Sequence, residues 1–175
     1  MRGEHRTIGP VSGRDRSAGD GPGLRAMFGR LTGETSYQRF HAPYPRVPEP
    51  MLAHLMGHGG GRSLVAVAEG GVLGHALYAG GSGCEAGVAL VVEDGWQPRG
   101  TGKPLLSGLA RKATGRGLES FTAEGHGGNH RVLSPADSVF AGARHTPMGG
   151  SYEMFMPMRG LRPATEPGQK IRPAA

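Results

Sequence analysis

The sequence predicts an α/β (α+β) domain: a mixed, mostly antiparallel central sheet flanked by helices, with one β-α-β crossover. Three observations carry that prediction. Apolar residues recur at helical spacing up to about Met56 and in strand-like runs from Ser63 onward. Two Gly-Gly pairs, Gly70-Gly71 and Gly149-Gly150, break apolar runs as hairpin turns do. Between them a strand, a glycine turn, an amphipathic helix and a second strand follow in succession, the order a parallel crossover requires.

Taken in order, Arg6 to Val11 reads as a short first strand weakened by Gly9 and Pro10. Pro22 leads into Leu24, Met27, Phe28 and Leu31, the stripe of an amphipathic helix. Thr35 to Phe40 adds a helical turn before the Pro-rich link Pro43–Pro50. Met51, Leu52, Leu55 and Met56 make a third helix, closed by Gly57. Ser63 to Ala68 and Val72 to Ala79 form a hairpin around Gly70-Gly71. Glu85 to Val92 is the next strand. Its unbroken run Val88-Ala89-Leu90-Val91-Val92 predicts burial on both faces. Leu105, Leu106, Leu109, Ala110 and Ala113 outline a helix in which Pro104 is tolerated because it falls in the first turn. Leu118 to Ala123 is a strand again. Phe140 to Met158 reads as two strands around Gly149-Gly150, with Met148, Met154, Met156 and Met158 at alternating positions of the last.

A length of 175 residues suits one domain with tails. Residues 1–5 are expected to be a disordered end, 6–158 the folded domain, and 159–175 a disordered basic tail. The net charge of +6 sits mostly on the ends, because residues 1–24 carry one excess positive charge and residues 159–175 three. Nucleic-acid binding is therefore not expected. No run approaches the roughly 18 apolar residues of a membrane span, and the first 20 residues lack the apolar core of a signal peptide. Cys84 is the one cysteine, which excludes an internal disulfide and a Cys-rich zinc site. A cytoplasmic protein is the expectation. Glycine, at 33 of 175 residues, is nearly three times its usual share of about 7% and points to marginal stability.

The chemistry is expected in Gln97-Pro98-Arg99-Gly100-Thr101-Gly102-Lys103, between the buried-type strand and the amphipathic helix. Amides at a helix start lack internal acceptors and sit in the positive field of the helix dipole. Glycines let a ligand approach that backbone, so the segment is built to cradle phosphate, with Arg99 and Lys103 adding positive charge. Neither Gly-x-x-x-x-Gly-Lys-Ser/Thr nor the complete three-glycine dinucleotide fingerprint is present.

Gln-x-x-Gly-x-Gly after an apolar strand resembles motif A of the GNAT family, the GCN5-related N-acetyltransferases. Val88–Gly102, Phe121–Asn129 and Ser36-Tyr37-Gln38-Arg39-Phe40 resemble the acetyltransferase domain of bacterial protein-lysine acetyltransferases. The resemblance runs from about Thr7 to Pro157. It implies the GNAT fold, with the CoA loop on the crossover. It implies acetyl-CoA as cosubstrate, no metal, and transfer to a primary amine, with a protein lysine as the favoured acceptor. Leu90, Val91 and Val92 match the strand end that pairs with the pantetheine arm. Gln97, Arg99, Gly100, Thr101, Gly102 and Lys103 match the diphosphate loop, and Asn129 an asparagine that contacts the cofactor. The related domains place a glutamate base ten residues before the motif glutamine, where this chain has Gly87. Glu85, two residues earlier on the same strand face, is the candidate general base, and Glu124 a poorer one. Thr101 and Pro104 also depart from apolar family positions. Pro135 is expected to shorten or kink the helix after Asn129, which carries no tyrosine to protonate the leaving thiolate. A catalytically degenerate domain that binds acetyl-CoA as a sensor or structural module is the alternative reading.

Two histidine pairs, His54/His58 and His126/His130, have i, i+4 spacing but no carboxylate or cysteine at ligand spacing. Solvated histidines are the expectation. Cys84 is expected to be a buried or strand-edge residue rather than a nucleophile, and Trp96 to pack against the domain.

Overall fold

The computed structural model describes residues 12–42, 46–68 and 70–163. The strand expected over Arg6–Val11 lies outside them. The first described strand, β1, is Ser12–Asp15. Arg14 then makes a two-pronged pair with Asp20, both contacts 2.7 Å, and ties β1 to the start of the first helix.

Helix α1 (Gly21–Arg30) carries Pro22 in its first turn and buries Leu24, Met27 and Phe28 at the expected spacing. Helix α2 (Gly33–Phe40) starts where the Thr32 hydroxyl accepts from the Thr35 amide, and ends at His41 in the left-handed region. Helix α3 (Glu49–Leu55) follows, starting two residues before the apolar stripe. Strands β2 (Arg62–Ala68) and β3 (Gly71–Ala79) form the predicted hairpin, with Ala68 opposite Gly71. Then come β4 (Glu85–Val92), α4 (Gly102–Thr114), β5 (Ser120–His126) and α5 (Leu133–Val139). Strands β6 (Arg144–Met148) and β7 (Ser151–Pro157) close the chain around Gly149 and Gly150, whose φ of 53° and 95° suit a two-residue hairpin turn.

One seven-stranded sheet results, ordered β1-β2-β3-β4-β5-β7-β6. Every pairing is antiparallel except β4 with β5, which the α4 crossover makes parallel. Each face carries a core. Leu64, Ala66 and Ala68 of β2 meet Leu105, Leu106 and Leu109 of α4, together with Ala136 and Val139 of α5. Val65, Val72 and Val91 belong to the opposite layer with Leu24, Met27, Phe28, Leu52 and Leu55. Alternation along β2 sends successive side chains into different layers.

Two expectations are corrected. The fourth strand is not buried throughout: Gly87 to Leu90 are only half-buried, for a reason given below. The last methionines do not share one strand, since Met148 is exposed on edge strand β6 while Met154 and Met156 are buried on β7. Past β7, Leu161 bridges Phe140 and the Arg162 amide donates to the Val139 carbonyl at 2.8 Å. Cys84 is exposed, just before β4. Pro135 acts as expected: a 3₁₀ turn over His130–Val132 precedes a short α5, which leaves the proline in the first turn.

Candidate functional site

The parallel pairing of β4 and β5 covers only Glu85↔Ser120, Ala86↔Phe121 and Gly87↔Thr122. Beyond Gly87 the two strands diverge, while β4 stays paired to β3 as far as Val92. Alternate backbone groups of Val88 to Val92 therefore face a gap rather than a neighbouring strand. This splay explains the half-buried apolar run. It also gives Leu90, Val91 and Val92 the free strand edge that a linear amide-bearing ligand needs to add on as a further strand.

Helix α4 begins at the end of that gap. A 3₁₀ turn over Asp94–Arg99 leads into Gly100, whose φ of 74° turns the chain toward the helix. No side chain caps α4. Among the described residues the amides of Thr101 and Gly102 have no hydrogen-bond acceptor, so they are available to an anion. A Cβ at Gly102 would lie 3.3 Å from Leu90 Cδ2 and 3.4 Å from Pro135 Cγ, so a side chain there would crowd the cradle. Gln97 shapes the loop, donating to the Val92 carbonyl at 2.9 Å and accepting from Arg131 at 3.0 Å. Thr101 is buried, and its hydroxyl donates to the Trp96 carbonyl at 3.2 Å, which accounts for a polar residue at an apolar family position. Arg99 stacks over the Trp96 ring at 4.8 Å, and Trp96 packs against the core as expected. Arg99 and Lys103 are exposed at the rim. These features fit the diphosphate of an acyl-CoA.

The same loop anchors the opposite layer. Asp94 accepts from the Thr32 amide at 3.1 Å and from the hydroxyls of Thr32 and Thr35 at 3.0 and 2.6 Å. Burial pushes the Asp94 carboxyl up, but these hydrogen bonds outweigh it and the net shift is downward. Arg30 pairs with Glu93 through two contacts of 3.1 and 2.9 Å. Helix α2 is thus clamped at one end to Asp94, in the turn before α4, and its other end, Arg39-Phe40, reaches the splay.

There a cavity of about 760 Å³ opens. Gly87, Val88 and Ala89 form one wall, and Thr122, Ala123 and Glu124 the other. Ser151, Tyr152 and Glu153 of β7 continue the second wall, while Arg39, Phe40, Met51 and His54 close the helical side. Gly87 has no side chain to present. Glu85, the sequence-derived base, is exposed at the first position of β4. Its carboxylate accepts from the Ser120 hydroxyl at 3.4 Å, and it does not line the cavity. The lining carboxylates are Glu124 and Glu153, opposite each other across the β5–β7 ladder.

Asn129 sits at the far end of β5, its carbonyl accepting from the Tyr152 hydroxyl. Tyr152 is buried, which pushes its phenol pKa up. No tyrosine lies in the helix after Asn129, as read from sequence, yet β7 delivers one to the same region. Glu153, Tyr152 and Arg39 as cavity residues were missed. For Tyr152 and Glu153 the only advance signal was that β7 must pair with β5, which places its centre beside the splay; Arg39, on α2, had none. His126 lies between the rings of Tyr37 and His41, with centroids 5.4 and 5.5 Å away, rather than beside His130 on a helix. Among the described residues no group of three or more His, Cys, Asp or Glu side chains is placed to hold a metal ion. No helix among them is long and apolar enough to cross a membrane.

Beneath the cavity floor His75 is fully buried. Its Nε2 lies 2.8 Å from the Leu55 carbonyl, a pure acceptor, so Nε2 carries the proton; the Ser63 hydroxyl is also 2.8 Å away. Burial first, and the charge of Arg39 second, push its pKa down to about 3. His75 is a neutral packing group at ordinary pH.

Solved structures share this architecture. The GNAT domain of a protein named PAT from S. lividans superposes with a TM-score of 0.75 at 25% identity, over 84% of this chain and 90% of that one. A phosphinothricin acetyltransferase from Sinorhizobium meliloti, solved with AcCoA, gives a TM-score of 0.68 at 19% identity, covering 94% of this chain and 97% of that one. The ribosomal-protein-S18-alanine N-acetyltransferase from Escherichia coli gives 0.63 at 17% identity, over 89% and 98%. No family model matches the chain, and no curated protein matches it in sequence.

Proposed function

From the GNAT fold of this chain and the splay it holds open, we propose an acyl-CoA-dependent N-acetyltransferase that moves an acetyl group from acetyl-CoA to a primary amine. The observation that carries this reading is that the β4–β5 pairing stops at Gly87, directly between the uncapped start of α4 and a cavity. The amides of Thr101 and Gly102, with Gln97, Gly100, Arg99 and Lys103, hold the diphosphate. The free edge of Leu90 to Val92 pairs the pantetheine arm, and Asn129 flanks it from the turn after β5. From Val92 to Gly87 the strand covers about 17 Å, and this directs the thioester toward the cavity mouth at Gly87–Ala89. An acetyl-CoA of this placement supplies a carbonyl with a good leaving group; the rest falls to the chain.

The acceptor amine enters through the cavity. An alkylamine is protonated at neutral pH, so a base must free its lone pair before the N–C bond forms and the C–S bond breaks. Glu85 acts through a bridging water in one assignment, and Glu124 acts from the cavity wall in the other. Substituting each with glutamine separates them. A protein lysine is the first acceptor to test, because Ser36–Phe40 and Phe121–Asn129 resemble the protein-lysine acetyltransferase domains. A cytoplasmic setting suits acetyl-CoA as cosubstrate. The second reading, a binding module without turnover, is favoured by one observation: Gly87 presents no carboxylate where the strand lines the cavity.

Calorimetric titration with acetyl-CoA and free CoA, followed by thiol release with lysine peptides and small amines, tests both. Micromolar binding with acceptor-dependent thiol release supports the enzyme. Binding without release from a broad amine panel supports the module. Absence of binding rules out both.

A further inference from the structure

Arg39 is the cationic side chain of the cavity to which the transfer chemistry gives no role. Its Nε is fully buried and donates to nothing, and among the described residues none of its guanidinium nitrogens meets a carboxylate or a carbonyl. Its one neighbouring partner is the Phe40 ring, 5.1 Å from Cζ. The C-terminal turn of α2 adds the negative end of a helix dipole, worth a fraction of an ion pair. Neither supplies an acceptor for five N–H donors in a fixed fork. Burial accordingly pushes the guanidinium pKa down to about 10. The terminal nitrogens, unlike Nε, are not sealed, and the residue lines the cavity. A desolvated, unpaired arginine that opens onto a cavity is a site for a carboxylate, because the bidentate pairing returns the hydrogen bonds its burial removed. The opposite wall carries the complementary charge, since Glu124 and Glu153 line the same space and suit an ammonium group.

We propose that Arg39 binds a carboxylate of the acceptor, so that the amine acetylated here belongs to a molecule carrying both charges, of the amino-acid type. Helix α2 makes this a positioning device as well. The Asp94 bonds to Thr32 and Thr35 hold the start of α2 on the phosphate loop, so a carboxylate seated on Arg39 stands at a set distance from the thioester. The inference rests on the acyl-transfer reading, but it concerns the acceptor half of the site alone.

The test compares free L-amino acids with their α-amides in acetyl-CoA-dependent thiol release. The amides lack the negative charge and have the less basic amine, so intrinsic reactivity works against the proposal. Lysine peptides with aspartate or asparagine beside the lysine form a second arm, which tells a free amino acid from an acidic peptide as the source of the carboxylate. Binding of N-acetyl-amino acids and N-acetyl-amino-acid amides to the CoA complex provides a readout that needs no turnover. The expected result is a preference of roughly 10- to 100-fold in kcat/KM or affinity for the carboxylated member of at least one series. Arg39→Gln abolishes that preference through KM, Arg39→Lys keeps part of it, and both leave acetyl-CoA affinity unchanged. Equal treatment of acids and amides by the unaltered protein, including binding of neither, overturns the proposal. So does a preference that survives Arg39→Gln. Loss of acetyl-CoA binding in the unaltered protein is a different failure and falls on the acyl-transfer reading.

Discussion

Replacing Gly87 with glutamate should convert a site that lacks a strand carboxylate into one that has it. A Cβ at this position meets only the Ala79 carbonyl oxygen, at 3.4 Å, which is ordinary contact. The residue sits in β4 with a φ outside the left-handed region, so a side chain adds no backbone strain. Removing a glycine from a strand interior favours the folded state by about 0.5–1 kcal/mol; half-burying a new carboxylate acts in the other direction. Stability should therefore change little. Catalysis should not, because a positioned general base contributes about 100- to 10,000-fold. A gain of at least about 100-fold in thiol release is expected at saturating acetyl-CoA. The affinity for acetyl-CoA should stay within about threefold, since the phosphate loop is untouched. The gain should disappear as pH falls through the carboxylate range. The assay is initial-rate thiol release, with melting temperature and acetyl-CoA titration as controls. An unchanged rate in a folded variant that still binds acetyl-CoA would refute the reasoning. The base would then be supplied elsewhere, or the thioester would not reach the cavity at Gly87.

Stability should fall on acidification before any carboxylate of ordinary pKa titrates. His75 is held neutral to about pH 3 when folded but takes up its proton near pH 6.5 when unfolded, so between those values the unfolded state binds more protons. Each pH unit below about 6.5 costs about 1.4 kcal/mol from this group. Thermal melts at pH 7 and 4.5 check it, and equal midpoints would count against the buried neutral form. Gly125→Ala should destabilise by about 1–3 kcal/mol and pull Tyr152 off the Asn129 carbonyl, because the new methyl would sit 2.3 Å from Tyr152 Cζ; denaturant midpoints measure it. The double substitution Arg99→Ala and Lys103→Ala should weaken acetyl-CoA binding about tenfold at low salt and less at high salt, as exposed charges do. A salt-independent loss in the titration would mean the two side chains act through loop shape instead.

Local structure was legible and relative placement was not. Gln97 to Lys103 could be read because a glycine turn between an apolar run and a helical stripe is a contiguous signal, and the structure puts it at the start of α4. Pro104 and Pro135 both fall in first turns, as the missing amide demands. The run Val88 to Val92 misled about burial, since a strand beside a gap needs the same apolar residues as one between two neighbours. The divergence arises from where β5 and β7 lie, which no residue of β4 encodes. Arg39 could be read as part of a family-like helix but not as a cavity wall. Its exposure to the splay depends on Asp94, about 55 residues further along, holding α2 in place.

By itself the sequence determined the order and type of the elements from α1 to β7, the glycine turn before α4 with its flanking cations, and the absence of a carboxylate at position 87. These are properties of contiguous residues, set by dihedral preference, amide satisfaction and apolar period. Only the tertiary structure decided that the loop opens beside a splayed strand pair. It alone brought Glu124, Glu153, Tyr152 and an unpaired Arg39 around one cavity. Those are distances between segments far apart in the chain, and they follow from sheet order and the packing of two layers rather than from any local pattern.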